Sequence, residues 1–299
     1  MSRVKTNWAG ERKNRVGQGP KTAAPMRTAN ADMIERVADG AGPNKLARDP
    51  ALGARAVANI PAVHVPAFCK EGYKNAYDLE AEQRIRLGNK APTPSPLRKL
   101  VDDVLSKIVA VEGKKIYFLA VEVNGTGIRF YGDICLVLAK GRIAANAVVL
   151  TCNSYDLARA PLMPPGASPS QAVMTDAART IWGRWKRDLA NMCVLKVFDL
   201  RPDALRRFTT GQVSETILQD EDYLEVLRVG AFKTSALQEA RVSVADAALE
   251  TRIGEQLRGG PCPNLAELQW RKHRKAALKA LGEAGIATRV VTTAGRVRA

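Results

Sequence analysis

At 299 residues, 46% hydrophobic and 25% charged, the chain has the size and balance of a soluble globular protein with one large core or two ordinary ones. No apolar run approaches the roughly 18 to 20 residues of a membrane span, and the basic N-terminus lacks the apolar stretch of a secretory signal, so a cytoplasmic protein without a membrane partner is expected. The net charge of +16 is concentrated at the ends: residues 1–60 hold 11 Lys/Arg against 5 Asp/Glu, and residues 251–299 hold 10 against 3. Basic ends around a nearly balanced body suit contact with nucleic acid or another polyanion. The five cysteines (Cys69, Cys135, Cys152, Cys193 and Cys262) show no C-x-x-C spacing and read as reduced thiols rather than a disulfide or zinc framework.

In chain order, residues 1–60 lack apolar periodicity and read as a disordered basic arm. HVPAFC (64–69) is a short apolar piece, and 73–88 predicts a helix stopped by Gly88. Leu97 to Ala110 is the clearest amphipathic helix, with Leu97, Leu100, Val101, Val104, Leu105, Ile108 and Val109 at i, i+3, i+4, i+7 spacing. Residues 116–138 predict two strands joined by a tight turn at Asn124-Gly125-Thr126-Gly127. Polar residues interrupt the second arm at RFYGD (129–133), where Gly132 predicts a bulge or a close backbone approach. AVVLTC (147–152) predicts a strand, 153–170 a Pro/Ser-rich excursion, 176–191 a helix and 192–200 a strand. Further strands are expected at 222–229 and 237–244, and helices at 245–258 and 264–284. The last residues, 287–299, predict two short strands around a Thr-Ala-Gly turn. The expected architecture is α+β: a mixed, mostly antiparallel central sheet with flanking helices, divided into the arm, a core at 61–250 and a basic helix-hairpin tail at 251–299.

The chain carries no Walker A loop, dinucleotide fingerprint, H-E-x-x-H or G-x-S-x-G motif, and its two histidines, His64 and His273, support neither a zinc site nor a catalytic triad. Chemistry is better sought at Asp220-Glu221-Asp222-Tyr223-Leu224-Glu225. Glu221 and Glu225 point the same way along an extended segment, and Glu225, between Leu224 and Val226, must face solvent, a cleft or a partner. Such carboxylates hold a divalent cation or polarise a hydroxyl. With Asp133 added, they admit a metal-dependent nuclease as one alternative.

From these residues, 116–244 resembles ADP-ribosyltransferase-like domains. Arg129 in GIRFYGD matches that family's early basic position, Thr209, Thr210 and Ser214 in FTTGQVS its hydroxyl position, and Glu225 its catalytic carboxylate. The resemblance implies NAD as cofactor, a toxin or effector setting, Arg129 on a phosphate, Tyr131 or Tyr155 stacked on nicotinamide, and a threonine holding the ribose or the carboxylate. A different class is suggested by 264–298, a basic helix followed by a hairpin bearing Arg289, Arg296 and Arg298. That outline is similar to the winged-helix tail of plasmid replication initiators, with Arg271, Lys272, Arg274, Lys275 and Lys279 on phosphates and a non-enzymatic replication or partition role.

Overall fold

The structure is a computed structural model that describes residues 53–87, 93–123, 127–128, 131–158, 162, 170–200, 217–219, 222–291 and 293–294. Their strands are β1 (Arg55–Ile60), β2 (Ile116–Glu122), β3 (Gly127–Ile128), β4 (Ile134–Leu138), β5 (Val148–Leu150), β6 (Trp182–Arg184), β7 (Leu218–Gln219), β8 (Asp222–Tyr223), β9 (Glu225–Val229), β10 (Leu237–Ser243), β11 (Thr288–Val291) and β12 (Thr293–Ala294). The helices are α1 (Val65–Glu71), α2 (Ala76–Leu87), α3 (Pro96–Val109), α4 (Gln171–Ile181), α5 (Trp185–Leu200), α6 (Val244–Gly259) and α7 (Leu265–Glu283). One sheet organises the molecule, in the order β11-β10-β4-β1-β2-β9-β5-β6, with β10 and β11 its parallel pair and the other pairings antiparallel. The expected α+β class with a mostly antiparallel sheet and a helical C-terminal portion is what forms.

The expected hairpin of 116–138 does not form. β1 lies between its two arms and pairs antiparallel with both, Val57 standing opposite Ala120 of β2 and Val137 of β4. Both arms are apolar on both faces, so each needs a neighbour on either side, and a strand from elsewhere supplies it. This also takes residues 55–60 out of the expected arm and into the middle of the sheet, where all but Arg55 are buried; residues 1–52 lie outside those described.

Two further elements differ from expectation. Residues 192–200 are helical and belong to α5: Leu189, Met192, Cys193 and Lys196 are buried at i, i+3, i+4, i+7, the helical rather than the strand period. The helix expected at 176–191 is broken by β6, where the Gly183 backbone passes so close to α5 that a Cβ there would lie 2.7 Å from Met192 Sδ. In the tail, β11 joins the main sheet beside β10 and β12 pairs with β3; the second arm of the expected terminal hairpin, 295–299, lies outside the described residues.

Helix ends follow local chemistry. Ser95 caps α3 by accepting from the Arg98 N–H (3.1 Å), with Pro96 in the first turn. Asn264 and Glu267 form a reciprocal capping box at the start of α7. On one sheet face, Ile116, Val148, Leu150 and Leu227 pack with Val101, Val104 and Leu105 of α3 and Met174 and Ala178 of α4. The other main cluster joins the sheet to Phe68 of α1, Met192 and Cys193 of α5, and Ala277 and Leu281 of α7. No helix among the described residues is long and apolar enough to cross a membrane.

Candidate functional site

Strand pairing determines which side chains share a face. Glu225 of β9 stands opposite Ala120, Ala120 opposite Val57, Val57 opposite Val137, and Val137 opposite Glu239. With side chains alternating along each strand, Asn59, Phe118, Glu122 and Arg241 fall on this face too. Glu225 is at the margin of the apolar cluster under α3 and α4, where a cavity of about 200 Å³ opens. Tyr73, Tyr131, Tyr155, Tyr223 and Phe118 give it aromatic walls, and Glu225, Arg98, Asn59 and Asn153 supply polar groups.

The polar groups form a connected chain. Arg98 on α3 donates through Nε to Asp102 Oδ1 one turn on (2.8 Å), and Tyr77 donates to the other oxygen of Asp102 (2.8 Å). Arg98 Nη1 donates to Ser154 Oγ (3.3 Å), and the Ser154 N–H donates to Glu225 Oε2 (2.9 Å). Tyr223 OH stands 3.5 Å from Glu225 Oε1 and 3.3 Å from Tyr131 OH, which accepts from Asn153 Nδ2 (3.3 Å). The guanidinium of Arg98 lies 3.9 Å from the Phe118 ring centroid and 5.1 Å from that of Tyr155, so its cation faces both rings.

Burial dominates the electrostatics. Glu225 is 2% exposed, and loss of water around its carboxylate pushes its pKa up to about 7, against the pull of the Arg98 charge and the Ser154 hydrogen bonds and with a smaller push from Asp156. Burial also disfavours the Arg98 cation, but hydrogen bonding and charge at Asp102 outweigh it and raise its pKa. Tyr223 is held well above its ordinary value by burial and then by Glu225. Burial and the neighbouring Tyr131 push Tyr73 up to about 12. Near neutral pH the cavity therefore holds one carboxyl group poised between its two forms, beside the Tyr73 and Tyr223 phenols, which keep their protons.

Three residues singled out in the sequence, Glu225, Tyr131 and Tyr155, meet at this cavity. The close approach expected at Gly132 is there: a Cβ would lie 2.1 Å from the Ile60 carbonyl carbon. The Gly132 carbonyl accepts from Asn59 Nδ2 (3.0 Å), tying the turn that bears Tyr131 to β1 at the cavity. Arg129, Thr209, Thr210 and Ser214 lie outside the described residues, as do Asp220, Glu221, Arg296 and Arg298.

Arg98, Asn59, Tyr73, Asn153, Ser154 and Tyr223 were not singled out. For Arg98 a signal existed: Arg98, Val101, Asp102 and Leu105 lie on one helical face, so an arginine and its carboxylate share the buried side of α3. Among the described residues no group of three or more His, Cys, Asp or Glu is placed to hold a metal ion. Asp133 accepts from the Ala62 N–H (2.8 Å) and faces Arg274 at 3.7 Å, away from the Glu225 cavity lining.

The basic helix needs one correction. Arg274 is 1% exposed and not a phosphate contact: its Nε is 2.9 Å from Glu250, and its Nη1 faces Asp133 and Asp246 at 3.7 and 4.0 Å. Arg271 is partly buried, whereas Lys272, Lys275 and Lys279 are exposed at i, i+3, i+7 and share one face of α7. No family model matches the chain, and no curated protein matches it at a significant level.

Proposed function

We propose that the cleft transfers ADP-ribose from NAD, with Glu225 as its working carboxylate and a nucleic acid or nucleic-acid-associated molecule as target. The observation that carries this reading is the convergence of Glu225, Tyr131 and Tyr155 on one aromatic-walled cavity. The flat pyridinium ring of NAD suits those walls, whose aromatic faces accept a planar cation. When the bond from the ring nitrogen to C1′ of the ribose breaks, the bonding pair leaves with nicotinamide and positive charge develops on the sugar. An ionised Glu225 stabilises that charge. The acceptor oxygen or nitrogen then bonds to C1′ and passes its proton to the Glu225 carboxylate. A pKa of about 7 gives useful fractions of both the base and its conjugate acid at neutral pH. Arg98 and Ser154 favour the ionised form that the step requires.

The test is nicotinamide release from NAD, with and without added DNA or RNA. Glu225→Gln keeps the shape and loses the charge, and is expected to lower the rate by on the order of two to three decades. The wild-type rate should rise with pH through a midpoint near 7, as the carboxyl ionises. Absence of release under every condition, with nucleic-acid binding retained, would sink the transferase reading.

A second reading has its own observation, the exposed row of Lys272, Lys275 and Lys279. Here the chain binds nucleic acid through the face of α7 by phosphate contact.

A further inference from the structure

Beside the Glu225 cavity lies a larger one of about 380 Å³, and Asn59 and Tyr73 line both. The smaller, at about 200 Å³, falls short of the roughly 300 to 1,000 Å³ of pockets that engulf a small ligand. Taken together the two lie within that range. A ligand whose reacting end sits at Glu225 therefore has room for its remainder only next door or in solvent.

The neighbouring cavity differs in chemistry. Ile60, Pro61, Ala67, Phe68 and Leu79 supply apolar walls. The Tyr73 ring between the two cavities stacks on Phe232 with centroids 4.7 Å apart and planes 14° from parallel, and Phe232 meets Phe68 edge-on at 6.0 Å. The shared wall is thus braced from behind by two rings. The cation of the lining, Lys74, is ion-paired with Glu71 and lies 2.6 Å from Glu82, while His64 stands exposed at the rim. Two carboxylates against one ammonium leave no positive charge in surplus for a phosphate or a carboxylate, while the apolar walls favour a group without charge.

Building on the reading of the Glu225 cleft as a ligand site, we propose that the larger cavity binds an uncharged aromatic group of the same ligand whose polar end reaches Glu225. Tyr73 then separates the two ends of a bipartite ligand. Charged parts of that ligand, such as a diphosphate, lie outside the larger cavity.

The test uses the full chain labelled with ¹⁵N and four probes followed by amide shifts: indole, indole-3-acetate, nicotinamide and N-benzylnicotinamide. Indole should give saturable shifts at Ala67, Gly72 and Lys74, and indole-3-acetate should bind at least tenfold more weakly. N-benzylnicotinamide should shift both these amides and those of Ser154 and Glu225, and bind at least tenfold more tightly than nicotinamide. Ala67→Trp, at an exposed helical position on the cavity wall, should abolish the indole shifts and the benzyl advantage. Leu79→Asp, at another exposed wall position, should do the same by charge. Unsaturable indole shifts, indole-3-acetate binding as tightly as indole, or no benzyl advantage would each overturn the assignment. Indole binding without any nicotinamide binding would count against the NAD reading and uphold the larger cavity as an apolar site.

Discussion

Glu225 and Glu239 stand in one row across the sheet, at opposite ends of a line through Ala120, Val57 and Val137, and on the same face. Both are buried, yet their surroundings differ. Glu239 accepts from Arg241 Nε at 2.7 Å and has Arg289 at 3.5 Å, while Arg241 Nη1 reaches past β4 and β1 to Glu122 at 2.7 Å. Glu225 has the Ser154 N–H and hydroxyl and a phenol as its hydrogen-bonding neighbours, a cavity in front of it, and an arginine already held by Asp102. Identical strand geometry thus gives a compensated carboxylate at one end and a proton-retaining one at the other. Matched burial and charge mark the first as structural; burial without a matching ion pair, facing a cavity, makes the second the candidate for chemistry.

The largest expected effect breaks the structural end. Arg241→Ala would leave Glu122 and Glu239 buried without their shared cation, and stability should fall by roughly 3 to 5 kcal/mol, read as a lower denaturant midpoint. Removing the charge at the other end should act in the opposite sense. Glu225 has a folded-state pKa of about 7 against an ordinary value of 4.5, so its contribution is fully present below pH 4.5 and is lost as pH rises through 7. From that shift the loss is roughly 3 kcal/mol. Glu225→Gln should therefore gain on the wild type by about that amount between pH 4.5 and 8, measured by urea unfolding at both. A constant difference would mean that Glu225 ionises as it does in water.

A smaller effect separates the sheet site from the helix face. Replacing Lys272, Lys275 and Lys279 together by Gln should flatten the dependence of log DNA affinity on log salt by about 2 to 3, with stability changed by no more than about 0.5 kcal/mol per site. The same change at the buried Arg274, which is bound to Glu250, should instead lower stability, read as a drop in melting temperature.

Much of this was legible in the sequence, for identifiable reasons. α3 announced itself because seven apolar residues keep one helical period without interruption. Glu225 stood out because a carboxylate inside an apolar strand needs a reason, and Gly132 because a glycine there permits contact that no Cβ would allow. β1 gave no such signal: RAVANI is short and alanine-rich, and follows a basic stretch without periodicity. Missing it produced a hairpin where two arms in fact run parallel with a third strand between them. The rest of the site was hidden for a topological reason. Arg98, Asn59, Tyr73 and Ser154 come from four separate stretches, and only the pairing of β1, β2, β9 and β5 brings those stretches to Glu225.

The claim that the cleft works through a poised carboxyl group is tested most directly by ¹³C NMR titration of the Glu225 side chain, with and without nicotinamide. A midpoint near 7 that moves when nicotinamide is added is the predicted result. A midpoint at the ordinary 4.5, unmoved by nicotinamide, would contradict it.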